Sequence, residues 1–260
     1  MRALVGAWRL SRTLLHLLHG LVVMALRFRS LDAAGRQQWI QWWSAELLRR
    51  LGIGFAASGP APRGAALLVA NHVSWLDIAA IHAAAPQARF VSKADVRHWP
   101  LVGRLVAGAG TLFIERESKR DALRVVHQMA AALRAGDMVA VFPEGTTGAG
   151  PVLLPFHANL LQAAIATATP VQPLVLRFQQ PGQAFSAATE FVGQTTLAQS
   201  LWRIACARGL CVQLQWLPAL ASAHADRRSL AAALYASMTQ VLEAPWAPAP
   251  RGEPIADAGA

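Results

Sequence analysis

The chain has 260 residues, of which 54% are hydrophobic and only 15% charged, with a formal net charge of +10 at pH 7. That length gives one or two domains with room for a substantial core. The two cysteines, Cys206 and Cys211, are too few for a disulfide framework or a four-ligand zinc site. Although the composition is greasy, no apolar run reaches the roughly 18 residues of a spanning helix, which fits a protein lying on or partly in a bilayer. The positive balance favours anionic partners. It does not point to nucleic acid, because the arginines are scattered and zinc-finger spacing is missing. Arg2, Arg9, Arg12, Arg27, Arg29, Arg36, Arg49 and Arg50 crowd the first fifty residues, which suits docking on an anionic membrane surface.

The first apolar stretch, Leu10 to Leu26, is interrupted by Arg12, His16 and His19, and it is followed by Arg27 and Arg29. No small-x-small cleavage site follows, so it does not read as a signal peptide. Leu31 to Leu51 is predicted to be a helix: Trp39, Trp43, Leu47 and Leu51 recur every four residues, Trp42 adds an aromatic, and Gly52 marks the stop. Residues 1–52 therefore read as a membrane-associating helical segment, or alternatively as a soluble hairpin packed on the main domain.

From Ile53 onward, short apolar runs alternate with helical segments. Strands are expected at Ala66–Ala70, Arg89–Ser92, Thr111–Glu115, Met138–Phe142, Val171–Phe178 and Leu210–Leu217. Helices are expected at Leu76–Ala85, Trp99–Ala109, Lys119–Ala135, His157–Thr167, Thr196–Ala207 and Arg227–Leu242. The pattern predicts an α/β domain over residues 53–244, with a mixed, largely parallel sheet flanked by helices. Residues 245–260, rich in Pro, Ala and Gly, read as a flexible tail.

Three constellations fall at the ends of predicted strands, where α/β proteins gather ligands. In the first, His72 follows a strand and Asp77 opens a helix. Five residues apart on one helix would face about 140° apart, so the pair meets only across a turn. A carboxylate beside a histidine fixes its tautomer and supports an imidazolium, as a general base for an alcohol requires. Read alone, the same residues also suit a loop histidine and a capping aspartate. The second is Gly110-Thr111-Leu112-Phe113-Ile114-Glu115-Arg116, whose terminal Arg116 can hold phosphate in a fork or stand solvated at a strand end. The third is Phe142-Pro143-Glu144-Gly145-Thr146-Thr147, where Gly145 permits a tight loop and the threonines offer hydroxyls and backbone N–H groups to an anion.

Together these blocks resemble the lysophospholipid acyltransferase family, in particular the bacterial 1-acyl-glycerol-3-phosphate acyltransferases. Asn71-His72 through Asp77 matches the first block, Gly110-x-x-Phe113-x-x-Arg116 the second, and Phe142-Pro143-Glu144-Gly145-Thr146 the third. Thr169-Pro170-Val171-Gln172-Pro173 resembles the fourth, a strand ending at the active site. Phe90-Val91-Ser92-Lys93 and Trp99-Pro100-Leu101-Val102-Gly103 are similar to family segments too. The resemblance implies a glycerolphosphate acyltransferase-like fold at the cytoplasmic face of a bacterial inner membrane. It implies acyl transfer from acyl-CoA or acyl carrier protein to lysophosphatidic acid, giving phosphatidic acid, without cofactor or metal. His72 would take the hydroxyl proton and Asp77 would orient it. Arg116, Glu144, Gly145 and Thr146, with Gly110 and Phe113 of the second block, would hold the acceptor. One departure stands out: many members carry Arg after Glu-Gly-Thr, and here Thr147 stands there. That motivates a second acceptor, such as a lyso-ornithine lipid. A lipid-binding module without catalysis and a thioesterase-like hydrolase are the readings from other classes.

Overall fold

A computed structural model describes residues 1–98, 102–114 and 119–245. Two helices lead. The first, α1 (Arg2–Leu26), is followed by α2 (Ala33–Leu51), where the Asp32 carboxylate accepts the Gly35 N–H at 2.8 Å and Gly52 closes the helix in the left-handed region. Leu47, Leu48 and Leu51 at the end of α2 are buried and join the core of the sheet.

The described residues then form β1 (Gly54–Ser58), β2 (Ala66–Ala70), α3 (Leu76–Ala84), β3 (Ala88–Lys93), α4 (Val102–Gly108), β4 (Leu112–Ile114) and α5 (Lys119–Arg134). They continue through β5 (Met138–Val141), α6 (Gln162–Ile165), β6 (Val171–Gln179), α7 (Leu197–Cys206), β7 (Cys211–Trp216) and α8 (Arg227–Glu243). The sheet order is β1-β7-β6-β2-β5-β3-β4, and every neighbouring pair is parallel except β6 with β7. The mixed, largely parallel sheet expected from the alternation is thus the one observed.

Strand β2 shows why the sheet is covered on both faces. Leu68 and Ala70 enter one apolar cluster with α2, α3 and α7, while Leu67 and Val69 enter another with α5 and α8. All five residues of β2 are buried, the continuous apolar run of a central parallel strand. Strand β1 has no such signal. Gly-Phe-Ala-Ala-Ser is short, lacks β-branched residues and lies half-exposed at the sheet edge, so the sequence pattern did not reveal it. The helix expected at His157–Thr167 is a 3₁₀ turn, Ala158–Leu161, followed by one turn of α6. Glu115 and Arg116, Trp99 to Leu101, and the tail beyond Pro245 lie outside the described residues.

Candidate active site

Because β2 and β5 are parallel neighbours, their carboxyl ends deliver the first and third blocks side by side. At the end of β2, the Asn71 side chain continues the sheet: its Nδ2 donates to Leu176 O at 2.9 Å and its Oδ1 accepts from Leu176 N at 2.7 Å. The chain then turns through His72–Trp75 into α3. Across that turn His72 Nδ1 lies 2.8 Å from Asp77 Oδ2. The same oxygen accepts Val73 N–H at 2.7 Å and Ser74 N–H at 2.9 Å. Asp77 is fully buried, whereas the His72 side chain keeps 20% of its surface exposed. With Nδ1 donating to Asp77, His72 presents Nε2 as its lone-pair nitrogen. The imidazole also stacks on Phe142 with ring centroids 4.0 Å apart, which fixes the plane of the ring.

Glu144 comes from the end of β5. Its Oε1 accepts His72 N–H at 2.7 Å and its Oε2 accepts Leu154 N–H at 2.8 Å. Burial pushes the Glu144 carboxyl above its ordinary range, and the N–H donors from Leu154 and His72 pull the other way. Both oxygens therefore tie the His72 turn to the loop after β5; the sequence reading had set this residue on the acceptor. Gly145, at φ 71°, makes the bend, and a side chain there would press on the His157 ring at 3.0 Å. Thr146 is exposed beside it. The Thr147 hydroxyl donates to the Phe191 carbonyl.

A cavity of about 170 Å³ opens at these strand ends, lined among others by His72, Ile78, Phe90, Val106, Phe142 and Gly145. Its wall is mostly apolar, with Ser92 and Thr111 as polar residues beside the one imidazole. The second block is split. Thr111 lines this cavity, while Gly110 ends the α4 turn and its carbonyl accepts Arg89 Nε at 2.9 Å. Phe113 lines a neighbouring cavity of about 290 Å³ with Arg97, His98 and Arg124. The stretch Thr169–Pro173 opens β6 rather than closing it; the strand reaches the site through Leu176, opposite Asn71. Among the described residues, no three His, Cys, Asp or Glu side chains converge in a way that would hold a metal ion. Sequence reasoning did not single out Leu154, which meets Glu144 from ten residues on across an irregular loop, nor Phe191 and Ser200, which meet Val73 and Trp75 across 118 and 125 residues, where no local spacing encodes a contact.

An imidazole held by a buried carboxylate and facing an apolar cavity can remove a proton from a hydroxyl, and neither cysteine lies in the cavity as a competing nucleophile. Comparison with known proteins agrees with that chemistry. Residues 53–177 match the family described as Acyltransferase. The chain is 40% identical over 196 residues, 75% of each chain, to the lyso-ornithine lipid O-acyltransferase of Pseudomonas aeruginosa. It is 34% identical over 184 residues to the 1-acyl-sn-glycerol-3-phosphate acyltransferase of Neisseria meningitidis, covering 70% of this chain and 71% of that one. The crystal structure of the 1-acyl-sn-glycerophosphate acyltransferase of Thermotoga maritima shares the fold with a TM-score of 0.64 at 18% identity, over 92% of this chain and 99% of that one. The His72–Asp77 turn, the acyltransferase match and these relatives together make the chain a member of the lysophospholipid acyltransferase family.

Proposed function

We propose that His72 is the general base of an acyl transfer from an acyl thioester, acyl-CoA or acyl carrier protein, to the free hydroxyl of a membrane lysolipid. Asp77 holds Nδ1, so Nε2 takes the hydroxyl proton as the oxygen attacks the thioester carbon. The thiol leaves with a proton returned from the imidazolium. Glu144 positions His72 through its backbone, and Gly145 and Thr146 line the approach of the acceptor. Arg116 lies two residues beyond β4 in sequence and retains the role that the resemblance gives it, contact with the acceptor head group. The observation that carries the reading is the 2.8 Å contact between His72 Nδ1 and buried Asp77 beside an apolar cavity.

For the acceptor, a lyso-ornithine lipid is the reading we place first, ahead of lysophosphatidic acid. Thr147 brings no charge where many family members carry Arg, and its hydroxyl is already engaged with Phe191. The 40% identical relative from Pseudomonas bears that acceptor in its name. The Neisseria relative supports lysophosphatidic acid as the second reading. Purified protein given one acyl donor and both acceptors separates the two. Preference for lyso-ornithine lipid by about tenfold in kcat/KM is expected, about one charge contact in size. Preference for lysophosphatidic acid would reverse the order, and transfer to neither would remove the acyl-transfer reading.

The same proposal puts α1 on the cytoplasmic face of the bacterial inner membrane. This helix is packed inside out. Its buried face is Gly6, Thr13, His16 and Gly20, while Leu4, Trp8, Leu15 and Leu26 are 75%, 64%, 63% and 77% exposed. Small and polar groups toward protein with apolar groups outward suit lipid rather than water. No helix among the described residues is long and apolar enough to cross a membrane, so α1 is proposed to lie in the interface.

A further inference from the structure

The turn from His72 to Ser74 offers three backbone N–H groups and three carbonyls, and all six are paired. Glu144 accepts His72 N–H, and Asp77 accepts those of Val73 and Ser74. Gly148 N–H donates to His72 O at 2.7 Å, and Asp77 N–H donates to Ser74 O at 3.1 Å. Five of the six contacts thus come from Asp77 in the first turn of α3 or from the loop after β5. The sixth, at Val73 O, is Phe191 N–H at 3.3 Å, from a segment that none of the sequence blocks includes.

We infer that this segment, residues 186–195 between β6 and α7, is a strap that positions the His72 turn, and that the Thr147 hydroxyl is its catch. The strap is anchored at its start by Ser186 N–H on Phe178 O at 2.8 Å. Arg203 of α7 holds it at Glu190, donating to its carbonyl at 3.1 Å, and at the far end, donating to Thr195 Oγ1 at 3.2 Å. Between the anchors it is Thr147 that fixes Phe191, donating to its carbonyl while the next N–H back along that residue serves Val73. Val73 therefore connects through one residue to the third block. Trp75, at the end of the same turn, is tied in the same direction by Nε1 donating to buried Ser200 Oγ of α7 at 3.1 Å. Thr147 and Phe191 touch no reacting atom; they are positioning residues that act through the backbone under His72.

The test uses the full chain and two variants, Thr147→Val, which keeps the shape and removes the donor, and Thr147→Ser, which keeps the donor. Amide hydrogen exchange, which needs no turnover, is expected to quicken about tenfold at residues 186–195 and 72–75 in Thr147→Val, the scale of one lost hydrogen bond, and to stay as in the wild type in Thr147→Ser. The kinetic arm rests on the acyl-transfer reading: kcat falls about tenfold in Thr147→Val with KM for the donor little changed, and Thr147→Ser restores it. Should Thr147→Val fail to fold, Arg203→Gln releases the strap at its exposed anchor and is expected to quicken exchange at the same residues. Wild-type exchange in the folded variant, or equal impairment of Thr147→Val and Thr147→Ser, would overturn the strap. Absence of acyl transfer by the wild type with the exchange pattern intact would overturn only the function.

Discussion

The turn at His72 and the outer face of α1 are built on opposite terms. In the turn, polar groups are buried and each backbone group has a partner supplied by this chain. On α1, large apolar side chains stand exposed and small or polar ones are packed inside. Under the proposed function the first region carries the chemistry, which depends on sub-ångström placement, and the second carries the adhesion, which is graded in buried area.

If that contrast holds, damage in the turn is steep and damage on α1 is gradual. Asp77→Asn is the sharpest probe, since one oxygen of Asp77 serves His72, Val73 and Ser74 together. It is expected to lower kcat by roughly 10²–10⁴-fold, the range of general-base catalysis, measured at saturating donor and acceptor. Leu15→Asp on α1 is expected to lower partition onto anionic vesicles about tenfold, following the transfer energy of one leucine, with an unchanged melting temperature. A comparable loss of stability in Leu15→Asp would mean that the outer face is core after all.

Acid also separates the two regions. His16, in the buried face of α1, is held below its ordinary value of 6.5 chiefly by burial, against the pull of its hydrogen bond to Trp43 O. The unfolded chain then binds the proton more readily, so stability is lost as pH falls below about 6.5. His16→Gln is expected to flatten that limb in melting temperature against pH. Glu144 is shifted upward by burial, so its folded state binds the proton more readily and its contribution to stability declines as pH rises. Glu144→Gln is expected to show a melting-temperature difference from the wild type that moves in its own favour as pH rises from about 4 to 8. Opposite slopes in the two variants support the assignment, and parallel slopes break it.

Much of this was legible in the sequence, for reasons that differ between residues. The strands β2 and β5 are unbroken apolar runs, and the His72–Asp77 pair is a local event across one junction, so both could be read from spacing. Glu144 was visible as a residue but not as a tether, because His72 N–H reaches it only through the adjacency of β2 and β5, and Leu154 N–H only through the path of the loop after β5. Phe113 could not be assigned to a cavity from the motif: Thr111 and Ser92 line the His72 cavity while Phe113, two residues after Thr111 and paired with Ser92, lines the other, a split that spacing does not encode. The strap was silent too: Ser-Ala-Ala-Thr-Glu-Phe-Val-Gly-Gln-Thr carries no periodicity, and only the fold brings Phe191 between Val73 and Thr147.

The most direct test of the central claim is His72→Ala in purified protein, assayed for acyl transfer to lysolipid and, in the same preparation, for vesicle binding. Transfer is expected to fall by roughly 10²–10⁴-fold with vesicle binding as in the wild type. Transfer at the wild-type rate by the folded variant would contradict the claim.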